Sequence, residues 1–222
     1  MIEFDAKDPF PLLSLDSYTY KEAQDHAILV DEWLGLQIQN CEGKVRARSA
    51  SDTDVAQQNW EHLSPQAFQT PYVEIRNILD LLNLSAGKHI VDLGCAYGRM
   101  GFVLGAHYPG VHFRGYELEP ARVLEAQRIL ATYSYTNIAI HVADLAAEDF
   151  VLPEADVYFI FDYGSENAVK KTLGDLQKIA QKRSIEVVAR GRLSRFLIHK
   201  EHPWLAEIHA PRHFHHFSIY QS

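Results

Sequence analysis

The chain has 222 residues, of which 47% are hydrophobic and 23% are charged, and its formal net charge at pH 7 is −8. This length can form one sizeable α/β domain with an extension. The acidic balance disfavours naked nucleic acid as a partner, because such partners usually require a basic face. Local basic patches stay open as alternatives, at 170–171 or at 182–183 together with Arg190 and Arg192.

Two further features bear on the compartment. No apolar run approaches the roughly 20 residues that span a bilayer, so we expect no membrane span. The first residues lack the basic and apolar regions of a signal peptide, and two cysteines form no disulfide framework. We therefore expect a cytoplasmic protein.

The first third of the chain is predicted to be a helical extension at 1–68, ahead of a domain at 69–222. Thr19 and Glu22 have the spacing of a capping box, which predicts a helix from Thr19 onward. Its predicted buried stripe is Ala27, Ile28, Trp33 and Leu34. A loop is expected from Cys41 to Asp54, and a short helix over 55–63. This region carries no chemical motif, so it is either a cap over the domain or a packing extension without ligand contact.

From residue 70 the pattern alternates between helices and short apolar strands. Thr70 and Pro71 predict a helix start, followed by a buried face at Ile75, Ile78, Leu79 and Leu82. Strands are predicted at 89–94, 112–117, 138–144, 156–161 and 185–189, with helices at 99–108, 120–134 and 166–181 between them. Strand-like segments at 204–209 and 215–220 predict an antiparallel C-terminal edge. The predicted fold is therefore α/β, a doubly wound and mostly parallel sheet with helices on both faces.

The segment 89–99 is the centre of this pattern. Its apolar strand leads into a turn with Gly94 and Gly98, which permit unusual backbone angles and close approach of a ligand. Strand, turn and helix form a nucleotide-type cradle, with helix N–H groups aimed at the ligand. The turn reads Gly94-x-Ala96-x-Gly98 rather than G-x-G-x-x-G, which disfavours NAD. It favours a ligand without phosphate whose positive groups lie near carboxylates.

Four acids stand at the ends of successive predicted strands: Asp92, Glu117, Asp144 and Asp162. Ligands of such sheets bind at the carboxyl ends of the strands. Glu117 lies about 20 residues beyond the glycine turn, where an acid accepts hydrogen bonds from ribose hydroxyls. The alternatives are a surface acid for Glu117 and a turn-forming acid for Asp144.

These residues resemble the class I S-adenosylmethionine-dependent methyltransferases. The segment 91–98 is similar to the first motif of that family, 115–120 to the second, 143–145 to the adenine-binding acid and 156–164 to the fourth. Ala96 departs from the pattern, since the family usually has glycine there, and its small side chain is expected to preserve the site. The resemblance covers about 70–192. It implies a Rossmann-like fold and S-adenosylmethionine as the cofactor.

The resemblance also implies roles for individual residues. Glu117 would hold the ribose, Asp144 the adenine amine and the turn at 94–98 the methionine part, while Asp92 would act on the amino group. The implied cofactor-binding residues are Thr70, Tyr72, Asp92, Gly94, Cys95, Ala96, Gly98, Glu117, Leu118, Asp144 and Leu145.

A weaker resemblance concerns the acceptor of the methyl group. The segments 70–72, 98–99 and 188–192, with a short C-terminal hairpin, are similar to small lysine methyltransferases that modify the ATP-synthase c-subunit and share features with the Dot1-like group. This resemblance gives Thr70 and Tyr72 a role at the methionine end. It makes a protein lysine the first acceptor hypothesis and a small molecule the second. A non-catalytic module that binds S-adenosylmethionine is the alternative from a different class.

The fourth motif supplies the catalytic candidates. Methyltransferases of adenine or glutamine amino groups carry N-P-P-Y where this chain has 162–165 without prolines, so that substrate class is not supported. Methyl transfer requires an aligned nucleophile that is relieved of its proton. Asp162 and Tyr163 are therefore the candidate catalytic residues, with helix capping as the alternative for Asp162. We expect no metal, because the histidines near the C-terminus lack a convincing ligand spacing.

Overall fold

The computed structural model describes residues 1–49 and 64–222. The strands of its sheet are β1 (His89–Leu93), β2 (His112–Glu117), β3 (Ile138–Val142), β4 (Val157–Phe161), β5 (Glu186–Arg190), β6 (Arg212–His213) and β7 (Phe217–Gln221). The α-helices are α1 (Tyr20–Leu34), α2 (Ile38–Ser49), α3 (Tyr72–Leu81), α4 (Arg99–His107), α5 (Pro120–Leu130), α6 (Glu166–Ala180) and α7 (Arg192–Glu201).

The seven strands form one sheet in the order β3-β2-β1-β4-β5-β7-β6. Strands β1 to β5 pair in parallel, whereas β7 pairs antiparallel with β5 and β6 pairs antiparallel with β7. The predicted doubly wound α/β sheet with an antiparallel C-terminal edge is confirmed. The strand order reverses between β1 and β4, and a crevice opens at the carboxyl ends of strands at such a point.

Helix α1 confirms the predicted capping box and corrects the predicted stripe. Thr19 accepts from the backbone of Glu22, whose side chain accepts from the backbone of Thr19. Ala27 and Leu34 are buried as predicted, but Ile28 and Trp33 are 39% and 42% exposed. Ile28 lies about 100° around the helix from Ala27, which turns its side chain away from the core.

The predicted loop from Cys41 is wrong as far as residue 49, because helix α2 occupies Ile38–Ser49. Cys41 and Val45, one turn apart, are both 6% exposed, and α2 contacts α5. Tertiary packing therefore holds a segment of low helical amphipathicity. The rest of that prediction, and the helix at 55–63, lie outside the described residues.

Two other predictions, a helix cap and a strand, are corrected. Helix α3 begins at Tyr72 with Pro71 at the N-cap and no side-chain cap, so Thr70 does not cap it, although the predicted buried face is confirmed. The strand predicted at 204–209 is wrong. The chain there forms a 3₁₀ turn at Pro203–Leu205 after α7, a helix that the sequence patterns did not predict.

Two hydrophobic cores lie on the two faces of the sheet. One core contains Phe10 and Val30 of the N-terminal region together with Ile78, Phe102 and Phe113. Helix α1 therefore packs into the same core as the sheet and its helices. The other core joins the sheet to α6 and α7. Among residues 1–49 and 64–222, no helix has both the length and the apolar character needed to cross a bilayer.

Candidate active site

The glycine turn after β1 is built from residues in left-handed backbone conformations. The φ angles of Gly94, Ala96 and Gly98 are +88°, +48° and +68°. A Cβ on Gly94 would lie 2.3 Å from the Cβ of Tyr163, and a Cβ on Gly98 would lie 2.1 Å from Cδ1 of Ile140. Gly94 is therefore required by conformation and by space, and Gly98 by its conformation. Ala96 adopts the same region at a modest cost, which explains how the turn tolerates it.

Glu117 closes the turn from the end of β2. The side chain is buried, and its Oε2 accepts from the backbone N–H of Ala96 at 2.9 Å. Its Oε1 accepts from the backbone N–H of Glu119 at 2.9 Å and lies 3.4 Å from Nη1 of Arg122. These donors hold the carboxylate in place beside the cavity described next.

Two adjoining cavities flank the turn and share Gly94, Ala96, Phe68 and Phe161 in their walls. The larger holds about 1130 Å³ of empty space including its open mouth, which is the scale of a small-molecule site. Its wall includes Glu117, Leu118, Asp144 and Leu145. The smaller cavity, about 530 Å³, has Thr70, Asp92, Cys95 and Arg190 in its wall. All the predicted cofactor residues except Tyr72 and Gly98 line one of these two cavities.

Asp92 is the unsatisfied acid of the smaller cavity. Within the described part of the chain its carboxylate has no hydrogen-bond partner, and it lines the wall of the smaller cavity. Burial, together with the nearby charge of Glu117, raises the pKa of Asp92 to about 7. A cationic group in the cavity would supply the missing partner and favour the ionised carboxylate.

Asp144 lies at the mouth of the larger cavity. Its Oδ1 accepts from the backbone N–H of Ala146 at 2.8 Å, which is the turn-forming interaction considered from the sequence. The side chain is exposed, while that of Leu145 beside it is buried. The pair therefore presents a carboxylate edge and an apolar surface to the same cavity.

The carboxylate of Asp162 accepts hydrogen bonds from the first turn of α7. Its Oδ2 accepts from the backbone N–H of Leu193 at 2.9 Å, and its Oδ1 accepts from the N–H and hydroxyl of Ser194 at 2.8 and 2.7 Å. The idea that Asp162 caps the helix following it in sequence is wrong, since Ser165 caps α6. Three donors thus occupy the carboxylate of Asp162 and tie it to the first turn of α7.

The Tyr163 hydroxyl is also engaged. It hydrogen-bonds to Thr172 and donates to the carbonyl of Ala168, both in α6. Burial raises the pKa of Tyr163 to about 12, so the phenol is protonated at neutral pH. The ring lines the larger cavity and packs on Gly94. The catalytic assignment of Asp162 and Tyr163 stays a prediction.

Tyr72 belongs to a different group of residues. It is fully buried, and its hydroxyl donates to Asp31 of α1 at 2.8 Å. Asp31 in turn forms a buried ion pair with Arg99, the first residue of α4. Tyr72 therefore connects α1 to the site from outside the cavities.

Sequence reasoning missed the side chains that join α2 to the larger cavity. Arg122 donates to Glu42 through Nε at 2.9 Å and Nη2 at 3.1 Å, and its guanidinium lies 4.8 Å from the ring centre of Phe68. The Tyr97 hydroxyl donates to the same Glu42 at 2.7 Å. No local pattern signals these contacts, because their partners are about 55 or 80 residues apart in the chain.

Arg190, which the sequence groups with Arg192 in a possible basic patch, does not lie on the surface. Its guanidinium is buried, pairs with Glu74 at 3.0 Å and donates to the Tyr20 hydroxyl at 2.8 Å. It also lines the smaller cavity. In the residues that the structure describes, no group of three or more His, Cys, Asp or Glu side chains is placed to hold a metal ion.

Comparison with family models finds no match, and comparison with curated proteins finds no similar sequence. Solved structures do match. An RNA methyltransferase from Salinibacter ruber in complex with S-adenosyl-L-homocysteine is 19% identical, covering 68% of this chain and 90% of that one, with a TM-score of 0.47. TrmN from Thermus thermophilus is 15% identical over 68% of this chain and 48% of its own, with a TM-score of 0.49.

A third match is PKMT2 from Rickettsia typhi in complex with AdoHcy, 16% identical over 46% of this chain, with a TM-score of 0.39. This chain spans only 20% of the length of that protein. The strand order, the glycine turn and the acids at the strand ends carry the assignment of the fold. This chain has a Rossmann-like α/β fold with an antiparallel pair of strands at one edge of the sheet.

Proposed function

We propose that the protein is an S-adenosylmethionine-dependent methyltransferase. The observation that carries this proposal is the placement of three carboxylates, Asp92, Glu117 and Asp144, around one glycine turn in two adjoining cavities. A dinucleotide needs a phosphate cradle at this turn, whereas a sulfonium with an ammonium group is complemented by carboxylates.

The larger cavity fits the nucleoside half of this cofactor. Glu117 would accept from the ribose hydroxyls, because its carboxylate is already held in place by backbone donors. Leu118 and Leu145 supply apolar walls for the adenine, and Asp144 supplies an acceptor for its amine. Phe68 lies where the two cavities meet.

The smaller cavity fits the methionine half. Asp92 would pair with the ammonium group, which lowers the cost of keeping a carboxylate ionised there. Thr70 and the backbone of the turn line the same space. The sulfonium would then lie between the cavities, close to Gly94 and Phe161.

The reaction is an in-line displacement. A lone pair of the acceptor attacks the methyl carbon, the carbon–sulfur bond breaks with its electron pair passing to sulfur, and S-adenosylhomocysteine leaves. The acceptor loses a proton to water or to a nearby base. Alignment is the main contribution that a protein makes to such a step. Asp162 contributes as a positioning residue, since its carboxylate holds α7 beside the larger cavity.

The methyl acceptor is proposed only as a class of molecule. A protein lysine is the first hypothesis from the sequence and a small molecule the second. A module that binds the cofactor without transferring the methyl group is the alternative. Incubation of a cell lysate with tritiated S-adenosylmethionine, followed by separation of protein, RNA and small molecules, distinguishes these. A non-catalytic module would bind the cofactor and label none of the fractions above a no-enzyme control.

Calorimetry with S-adenosylhomocysteine tests the cofactor. We expect the wild-type protein to bind it and Glu117→Ala to bind at least tenfold more weakly, because ribose contacts are lost. Glu154→Ala is the matched control, since Glu154 is an exposed acid just before the amino end of β4, whereas the site lies at the carboxyl ends of the strands. Unchanged affinity in Glu117→Ala would show that the ribose assignment is wrong. Binding of NADH instead of S-adenosylhomocysteine would overturn the proposed function.

A further inference from the structure

A second, open groove lies beside the proposed cofactor site. It runs along α7 toward the β6–β7 hairpin and begins at Asp162, a residue that also lines the larger cofactor cavity. Its wall includes Arg192, Arg195, Phe196 and His199. A molecule in this groove would therefore reach the larger cofactor cavity.

The groove is basic although the chain as a whole is acidic. Arg192, Arg195 and His199 are spaced by three and four residues, which places them on one face of α7, and His213 of the hairpin lines the same groove. Among the described residues of the groove wall there is one acid, Asp162. Its carboxylate accepts hydrogen bonds from backbone N–H groups at the start of α7. The charge facing a ligand there is thus positive.

This charge is not neutralised by neighbouring acids. Within the described part of the chain, Arg192 forms no ion pair, and Arg195 donates to the backbone carbonyl of His215 rather than to an acid. By contrast, three other cations of the basic patches expected from the sequence are paired with acids. Lys170 lies 2.8 Å from Glu166, and Lys171 lies 3.2 Å from Asp175. Arg183 likewise pairs with Asp156 at 2.6 Å.

An aromatic side chain stands within the basic groove. Phe196 is 55% exposed, and Nζ of Lys200 lies 5.5 Å from the centre of its ring. An exposed aromatic ring between cationic groups is the arrangement that stacks an unpaired base while the cations hold the phosphates. An acidic peptide would use the cations but would have no need of the ring.

We propose that this groove binds single-stranded RNA as the methyl acceptor, with the target nucleotide entering at Asp162. The net charge of −8 disfavours nucleic acid only as an average over the chain, and the groove is a local exception. The acceptor role depends on the proposed function, whereas RNA binding by the groove can be measured independently of it.

Binding is tested by fluorescence anisotropy with a labelled 12-nucleotide oligouridine over a range of salt concentrations. For single strands, each phosphate contact contributes about 0.7 to the slope of log K against log salt. The double variant Arg192→Gln/Arg195→Gln is expected to lower the slope by about 1.4 and weaken binding. The matched control is Lys178→Gln/Lys182→Gln, which removes two exposed charges at the end of α6 and is expected to retain the slope.

The aromatic ring is tested separately. Phe196→Ala is expected to weaken binding about tenfold, because one stacked base is lost, and Phe196→Tyr is expected to retain it. The proposal is overturned if wild-type protein does not bind the oligonucleotide at 50 mM salt. It is also overturned if the two double variants lose binding equally, or if polyglutamate competes as well as RNA does.

Transfer tests the acceptor role. Tritium from S-adenosylmethionine is expected in total cellular RNA with the wild-type protein and at least tenfold less with Arg192→Gln/Arg195→Gln. S-adenosylhomocysteine affinity of that variant should equal wild type, which also shows that it folds. Cofactor binding without labelling of RNA would overturn the acceptor role and leave the proposed function intact. Failure of the wild-type protein to bind S-adenosylhomocysteine would instead overturn the proposed function.

Discussion

The buried ion pair between Asp31 and Arg99 joins the N-terminal helix to the glycine turn. Their side chains are 5% and 3% exposed, and Nε of Arg99 lies 3.2 Å from Oδ1 of Asp31. Arg99 also donates to Gln66 at 2.8 Å and to the Thr70 carbonyl at 3.3 Å, and Tyr72 donates to Asp31. The further hydrogen bonds of both members of the pair are thus made to neutral groups.

The substitution Asp31→Leu removes the acid and leaves the guanidinium buried. Breaking such a pair costs about 3–5 kcal/mol, since the remaining charge loses both water and its partner. A domain of this kind is stable by about 5–15 kcal/mol, so a large part of the unfolding free energy would be lost. The double variant Asp31→Leu/Arg99→Met should recover most of it, because no buried charge remains.

Urea unfolding followed by circular dichroism and tryptophan fluorescence measures this loss. We expect one coincident transition, because α1 shares a hydrophobic core with the sheet. The control Asp25→Leu, at an exposed acid of α1, should change stability by less than about 0.5 kcal/mol. A loss below about 1 kcal/mol in Asp31→Leu would refute the reasoning. A separate early transition would show instead that 1–68 unfolds as a unit of its own.

Three further predictions concern the candidate site. Gly94→Ala, which forces a Cβ against Tyr163 at a φ of +88°, should lower the melting temperature and reduce S-adenosylhomocysteine affinity at least tenfold; a wild-type titration curve would contradict this. The Asp92 carboxyl has a pKa of about 7, so it is protonated and neutral below that pH. Because a neutral carboxyl cannot pair with the ammonium group, the affinity for S-adenosylhomocysteine measured by calorimetry should fall by about tenfold per pH unit from pH 7 to pH 5. That dependence should vanish in Asp92→Asn, and a flat wild-type profile would exclude the ammonium pairing. Asp162→Ala should lose about 2 kcal/mol in urea unfolding, since three hydrogen bonds to α7 are broken; lost transfer at unchanged stability would indicate a direct catalytic role.

The sequence predicted the parts of the fold that depend on neighbouring residues. The alternation of apolar strands and amphipathic helices from residue 70 onward, and the capping box of α1, are local patterns and are confirmed. Helix α2 was missed because its stability comes from packing of Cys41 and Val45, not from its own sequence. Helix α7 was missed because the acid that binds its first turn, Asp162, lies about 30 residues before it.

In the candidate site, too, some features follow from the sequence and others from the tertiary structure. By itself the sequence determined the glycine turn and the acids at the strand ends, because spacing along a strand and its turn sets these positions. It thereby determined the end of the sheet at which we propose that a ligand binds. Only the tertiary structure decided which acids are available to a ligand. Among the residues that the structure describes, Asp92 has no hydrogen-bond partner, whereas Asp162 accepts from the start of α7 and Arg190 is buried against Glu74. Hydrogen bonds and ion pairs of this kind join residues far apart in the chain, so no local pattern contains them.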